Sequence, residues 1–465
     1  MLQKPKPTTM LKFVPVAAAI LLAQSSFAQD VSAVSVSPLE YQVPGNPKFN
    51  FVFSKSFPGM VGNCTIGWQL DNGTVQTVTK TASQLWYSGP LGIVRDPAFT
   101  ISLPAPGTYT LKAWVKMTNP VDGNASNDTI TQIINVHQTL PKKNVVLEVF
   151  KHQGCAPCYP AATYLNDYVS KHPEYAIVQI YNGKTDVLFN QEGQTVDSTY
   201  GGFPHPIVLY DRFKFPFFAN WGHNFSSSIS GDTLMEFGER ARYYEPVFVS
   251  FKNASFNETT RELKVKIGAN FFADYSGDYR FNLYVTEDDI KAFQSSAPDP
   301  NNYIHKRVLR KMVGGSWGQQ GSLPATIKKG DYHEYEFTYT IPAAYNTSKL
   351  RLTGIVQAYN TDDKKRTILN SDHRTFAQAL SVSGAKQPVE ARVYPNPATD
   401  QLTIAFDKPL QKPCEVVLLD MNGRVCRSIQ CLRTTTMDIS TLAAGSYLLH
   451  IDDGDVVHTQ TIIKQ

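Results

Sequence analysis

The hydrophobic rhythm of this chain changes at Asn144, and that change limits the fold more than any other feature. Up to about His137 the apolar residues alternate with polar ones in short runs separated by turns. Examples are "FNFVFSK", "CTIGWQL" and a strand in which Tyr109, Leu111, Ala113 and Val115 share one face. From Asn144 to about Arg242 the pattern is strand, helix, strand. "NVVLEVF" is a continuous apolar run, and "YLNDYVSKH" sets Leu165, Tyr168 and Val169 at helical spacing before Pro173 stops it. "YAIVQIYNG" is the next strand. A polar helix candidate, the strand in "GGFPHPIVLYDRF" and a helix in "GDTLMEFGERARY" with Asp232 as N-cap complete a β-α-β-(α)-β-α order. Period-two runs return from Pro246 to about Thr375.

These shifts divide the 465 residues into an Ig-like β-sandwich at 31–140, an α/β unit at 144–243, a second β-sandwich at 246–380 and a small β-module at 391–465. "QTLPKK" and "SVSGAKQPVEA" read as linkers. The fold class is therefore multidomain α+β. Ample aromatics (23 Tyr, 26 Phe) and only 18% charged residues exclude disorder, and a net charge of +4 without any basic block excludes nucleic acid as a partner.

Residues 1–28 carry Lys4, Lys6 and Lys12, an apolar core from Phe13 to Ala23 and a small-x-small cleavage site at Ser26-Phe27-Ala28. That is the pattern of an export signal, and its apolar core is about half the roughly 20 residues a spanning helix needs. Export permits disulfides. Of six cysteines only Cys155 and Cys158 are close enough to pair from sequence alone; Cys64, Cys414, Cys426 and Cys431 read as small buried hydrophobes.

"GCAPCYP" directly follows the apolar strand and opens the helix. Thiol–disulfide exchange needs an accessible thiolate and a second thiol within reach, and two-residue spacing at a helix start supplies both. Cys155 is the expected nucleophile, stabilised as an anion by free backbone N–H groups, and Cys158 the resolving thiol half a turn inside. Pro157 suits the first turn, where no N–H is missed. Two other readings stay open. The pair is a structural staple, or it joins His152 and His205 around a tetrahedral metal; the second lacks the further CxxC or HxxxH that usually accompanies such a site. We therefore expect neither metal nor cofactor.

The strand, CxxC, helix and later proline-led strand resemble the thioredoxin fold, from which "CAPC" departs at one position of the common motif. The resemblance implies a cis-proline against the disulfide. Pro204 and Pro206 are the candidates, and the Gly-aromatic-Pro sequence points to Pro204. It also implies a buried acid six residues before the first cysteine, where this chain has Val149. Glu148 stands one residue out of register, as a proton acceptor or as a salt-bridged carboxylate. The tryptophan of the family is replaced by Gly154.

"VYPNPATDQLTIAF", "DMNGRV" and "DISTLAAGSYLLHI" resemble the C-terminal sorting domain of type IX secretion cargo over residues 391–465. This resemblance implies type IX secretion machinery as partner, removal of the domain, and attachment to surface lipopolysaccharide. "LEVFKHQGCAPCYPAA" with "NNYIHKRVLRKMVGG" resembles the outer-membrane-protein-28-related family over roughly 144–375, which implies a thioredoxin-like core with flanking β-domains. "YIHKRVLR" itself reads as a strand or loop with a solvated face. The chain is thus expected to be exported and surface-displayed or secreted, acting as a thiol-disulfide oxidoreductase on protein thiols, or else as a non-catalytic surface binding protein with a stapling disulfide.

Overall fold

A computed structural model describes residues 30–465 apart from 38–39, 57–60, 89–90, 95–98, 120–121, 139, 201–204, 213–222, 225–243, 383–390, 407–413, 422, 432 and 453–456. The expected signal segment, the helix over 231–243 and its N-cap Asp232 lie outside the described residues.

The chain is mostly β, in several sheets. At the N-terminus a four-stranded and a five-stranded sheet close on a core of Phe49, Phe51, Phe53, Ile66, Trp68, Phe99 and Val115. The alternation read in the sequence has a direct cause: a strand points successive side chains to opposite faces, and one face of each sheet meets this core.

The centre is an eight-stranded mixed sheet. Its strands in chain order are β1 (Val145–Lys151), β2 (Tyr175–Tyr181), β3 (Ile207–Tyr210), β4 (His223–Asn224), β5 (Asp278–Glu287), β6 (Val308–Met312), β7 (Leu350–Tyr359) and β8 (Ile368–Thr375). Across the sheet they run β4-β3-β1-β2-β6-β5-β7-β8. β1 and β2 are parallel, β3 is antiparallel to β1, and β2 meets β6 in parallel at Gln179 and Val308. Residues on both sides of position 246 therefore share one sheet.

Helix α1 (Cys158–Lys171) covers one face of β1 and β2. Its Ala161, Leu165 and Val169 pack against Val145, Leu147, Val149 and Ile177. Helix α2 (Gln191–Tyr200) lies on the other face, where Val196 and Tyr200 meet Val146, Phe150, Val178 and Ile180. Burial on both faces explains why "VVLEVF" is continuous rather than alternating. Each fully buried Val, Leu or Phe of β1 contributes about 1.5–3 kcal/mol.

Strands Val247–Asn257, Glu262–Phe271 and Tyr332–Thr340 form an antiparallel sheet that packs on β5 and β7 through Val249, Val265, Ile267, Phe281, Leu283 and Val356. The C-terminal module has sheets of three and four strands around Leu402, Ile404, Val416, Leu418, Leu449 and Ile462.

Candidate functional site

β1 ends at Lys151, and the chain turns through His152–Pro157 into α1. The backbone N–H of Cys155 donates to His152 O at 3.1 Å and that of Cys158 to Cys155 O at 3.2 Å. The helix starts at Cys158, so Cys155 sits in the preceding turn rather than at the first helical position, and Pro157 occupies the N-cap. The two cysteines form a disulfide with a Cα–Cα separation of 5.3 Å. Cys155 is 5% exposed and Cys158 fully buried.

The peptide bond between His205 and Pro206 is cis, and Pro204 lies outside the described residues. His205 carries the contact: its carbonyl oxygen is 3.5 Å from the Cys155 sulfur. Its ring is set by neighbours distant in sequence. Nε2 lies 3.6 Å from Asp197 Oδ2 and 2.8 Å from Asn182 Nδ2, while Asn182 Nδ2 donates to the same Asp197 oxygen at 2.5 Å. His152 meets His205 edge to face at 5.7 Å.

Glu148 is not presented to the sulfurs. The alternation of β1 puts it with Val146 and Phe150 on the α2 face, whereas α1, which carries Cys158, packs on the odd-numbered residues. Its carboxylate accepts from Arg212 Nε at 2.8 Å, Arg212 Nη2 at 2.7 Å and the Tyr284 hydroxyl at 2.9 Å, all fully buried or nearly so. The salt-bridged reading of Glu148 describes this geometry. Asp211 and Arg212 both take left-handed backbone conformations (φ 50 and 53), which turn Arg212 back beneath the sheet.

Val149 occupies the place of the expected acid, and two residues further on the strand ends in a buried base. Lys151 is fully buried, donates to Gln179 Oε1 at 2.9 Å and lies 4.9 Å over the Tyr181 ring. Burial pushes its pKa down to about 7 against the raising influence of Asp186. The Tyr181 hydroxyl donates to His305 Nδ1 at 2.5 Å, and His305 Nε2 is 3.2 Å from Phe293 O. Those partners fix a neutral His305 with its proton on Nε2, and burial lowers its pKa to about 4. The "YIHKRVLR" segment lies on strands with one face turned inward: His305 and Val308 are fully buried and Leu309 is 2% exposed, while Ile304 is exposed and the basic residues are partly so.

The segment around Gln294 covers the disulfide turn. Gln294 is fully buried, and its Nε2 donates to Gln153 O at 3.2 Å and Cys155 O at 3.1 Å. Gln153 answers with Nε2 to Phe293 O at 2.8 Å, and Ser295 N donates to Gln153 O at 2.8 Å. Beside it Tyr303 meets Tyr159 edge to face at 5.6 Å. A Cβ at Gly154 would meet His152 at 3.5 Å, an ordinary contact, so space does not force the missing tryptophan. The cover comes instead from about 140 residues downstream. Gln153, Asn182, Asp197 and Gln294 carry no signal in the sequence; each is an ordinary polar residue whose partner is remote, so no local spacing marks it.

A cavity lined by Val169, Pro173, Arg307, Arg351 and His373 lies at the Tyr175 end of β2, away from the sulfurs. Among the described residues no cluster of three or more His, Cys, Asp or Glu has metal-holding geometry. No helix among them is long and apolar enough to cross a membrane.

Fold and site together define a multidomain β-protein with a covered disulfide at the start of a helix on a mixed sheet. Residues 249–376 match the family model of outer membrane protein Omp28, and residues 392–465 match the secretion system C-terminal sorting domain. The chain thus carries both segments, with the sorting domain of type IX secretion directing it, through that machinery, to the outer membrane surface or the extracellular space. The Omp28 match covers the strands after position 246 and leaves the disulfide outside it, a narrower range than the 144–375 read from sequence. No curated protein matches the chain. Among solved structures, HBP35 of Porphyromonas gingivalis is 17% identical over 69% of this chain and 98% of its own, with a TM-score of 0.42. The CARDB domain of the PF1109 protein from Pyrococcus furiosus is 14% identical over 24% of this chain and 90% of its own, with a TM-score of 0.19. At these scores neither likeness bears on the chemistry.

Proposed function

We propose that this exported surface protein has a thioredoxin-like core at its centre and that Cys155–Cys158 undergoes thiol–disulfide exchange with protein thiols. The observation that carries the reading is the His205 carbonyl, preceding a cis-proline, held 3.5 Å from the Cys155 sulfur at a helix start. Support comes from the strand order β4-β3-β1-β2-β6, in which β6 extends the sheet as a parallel neighbour of β2. In the reaction the Cys155 thiolate of the reduced pair attacks a substrate disulfide and one substrate sulfur leaves as thiolate; deprotonated Cys158 then attacks Cys155 in the mixed disulfide, the second substrate sulfur leaves, and the re-formed Cys155–Cys158 disulfide is reduced again by the external dithiol. Protein without residues 1–28 is expected to accelerate dithiothreitol-dependent reduction of insulin, and Cys155→Ser to abolish it. Equal rates for the two proteins overturn the proposal.

The near-complete burial of Cys155 favours a second reading, a surface binding protein in which the disulfide is a staple. A four-residue loop closed this way stabilises by only about 2 kcal/mol. The double serine variant then loses about that amount in urea unfolding and shows no change in insulin reduction. Attachment to lipopolysaccharide after loss of the sorting domain belongs to either reading.

A further inference from the structure

We propose that Cys414 and Cys431 form a second, cross-strand disulfide in the exported protein, tying the hairpin of the C-terminal sorting domain. Strands Cys414–Asp420 and Val425–Cys431 are antiparallel, and these two residues stand directly opposite each other at the open end of the ladder. Directly opposed residues in an antiparallel pair have Cα atoms about 4.5–5.5 Å apart, inside the range of about 4.4–6.8 Å that disulfides occupy. Both side chains face the same way: Cys414 is fully buried and Cys431 9% exposed, in one core with Val416, Leu418 and Ile451.

The other thiols have no such partner. Cys426 is five residues from Cys431 on the same strand, about 17 Å at roughly 3.3 Å per residue, and Cys64 belongs to the N-terminal core. Export takes the chain into a compartment where disulfides form and persist. The chemistry is exchange with a low-molecular-weight or protein disulfide. The more exposed Cys431 loses its proton and attacks, one oxidant sulfur leaves as thiolate, and Cys414, deprotonated, displaces the other. Two thiols are oxidised, one disulfide is reduced to two thiols, and the two protons lost by the cysteines are taken up by the departing thiolates.

Arg424, Arg427 and Arg433 place Cys414, Cys426 and Cys431 on three separate tryptic peptides. The test is to fold the full chain without residues 1–28 in a buffer of oxidised glutathione, alkylate it in denaturant, and digest it without reduction. Mass spectrometry should find the Cys414 and Cys431 peptides linked, with Cys64 and Cys426 alkylated. In Cys414→Ser the Cys431 peptide should become alkylated, and trypsin should cut at Arg424 and Arg427 at least tenfold faster than in the oxidised wild type. Alkylation of both Cys414 and Cys431 in a sample where Cys155 and Cys158 are linked overturns the proposal, as does a Cys431 peptide linked to any other cysteine.

Discussion

Glu148 and Arg212 are a fully buried ion pair, hydrogen-bonded further by the Tyr284 hydroxyl and, on the arginine side, by Ser316 O. Removing one partner strands the other in a low-dielectric interior, so Glu148→Ala is expected to cost about 3–5 kcal/mol in urea unfolding. The double change Glu148→Leu, Arg212→Met should cost markedly less, since no charge is then left unpaired. Lys151 gives a pH signature. Its pKa falls from 10.5 to about 7 on folding because burial disfavours the ammonium. Between those values the unfolded chain binds a proton that the folded chain does not, so stability rises with pH across that window. Urea midpoints measured at pH 7 and pH 9.5 should show this rise in the wild type, and Lys151→Met should flatten it.

At the scale of elements, α2 sits close on β2 because Gly193 faces Ile180: a Cβ there would come within 2.2 Å of Ile180 Cγ2. Alanine is about 1 kcal/mol the better helix former, but a clash in a packed core costs about 1–3 kcal/mol. The clash should win. Gly193→Ala is expected to lower the urea midpoint, and adding Ile180→Ala to relieve the clash should make the two changes cost less than their separate sum. The helix and strands around the disulfide were legible in the sequence because their signals are local: a continuous apolar run for a strand covered on both faces, helical spacing up to Pro173, and a proline-led strand. What the sequence concealed depends on register and on distance along the chain. A shift of one residue sends Glu148 to the α2 face. The Gly-aromatic-Pro pattern draws attention to Pro204, and nothing local marks the bond before Pro206 as cis. His305 looked like part of a solvated basic stretch because its partner, Tyr181, is 124 residues away.

At the scale of the molecule, the shared sheet changes what can be cut from it. β1 and β2 rest on Tyr284, Leu309, Met312, Ile355 and Ile368, all contributed by residues beyond 246. A fragment of residues 144–245 would expose that apolar face and leave the Glu148–Arg212 pair without Tyr284. It is expected to be unfolded by circular dichroism, whereas residues 140–382 should unfold in one cooperative transition with coincident fluorescence and circular dichroism curves. Two separate transitions in the longer fragment would contradict this coupling.

The Gln294 cover also has a consequence in time. A chain crossing a membrane from its N-terminus delivers Cys155 and Cys158 about 140 residues ahead of Gln294, so an oxidant met in that interval would reach the sulfurs before the Gln294 segment settles against their turn.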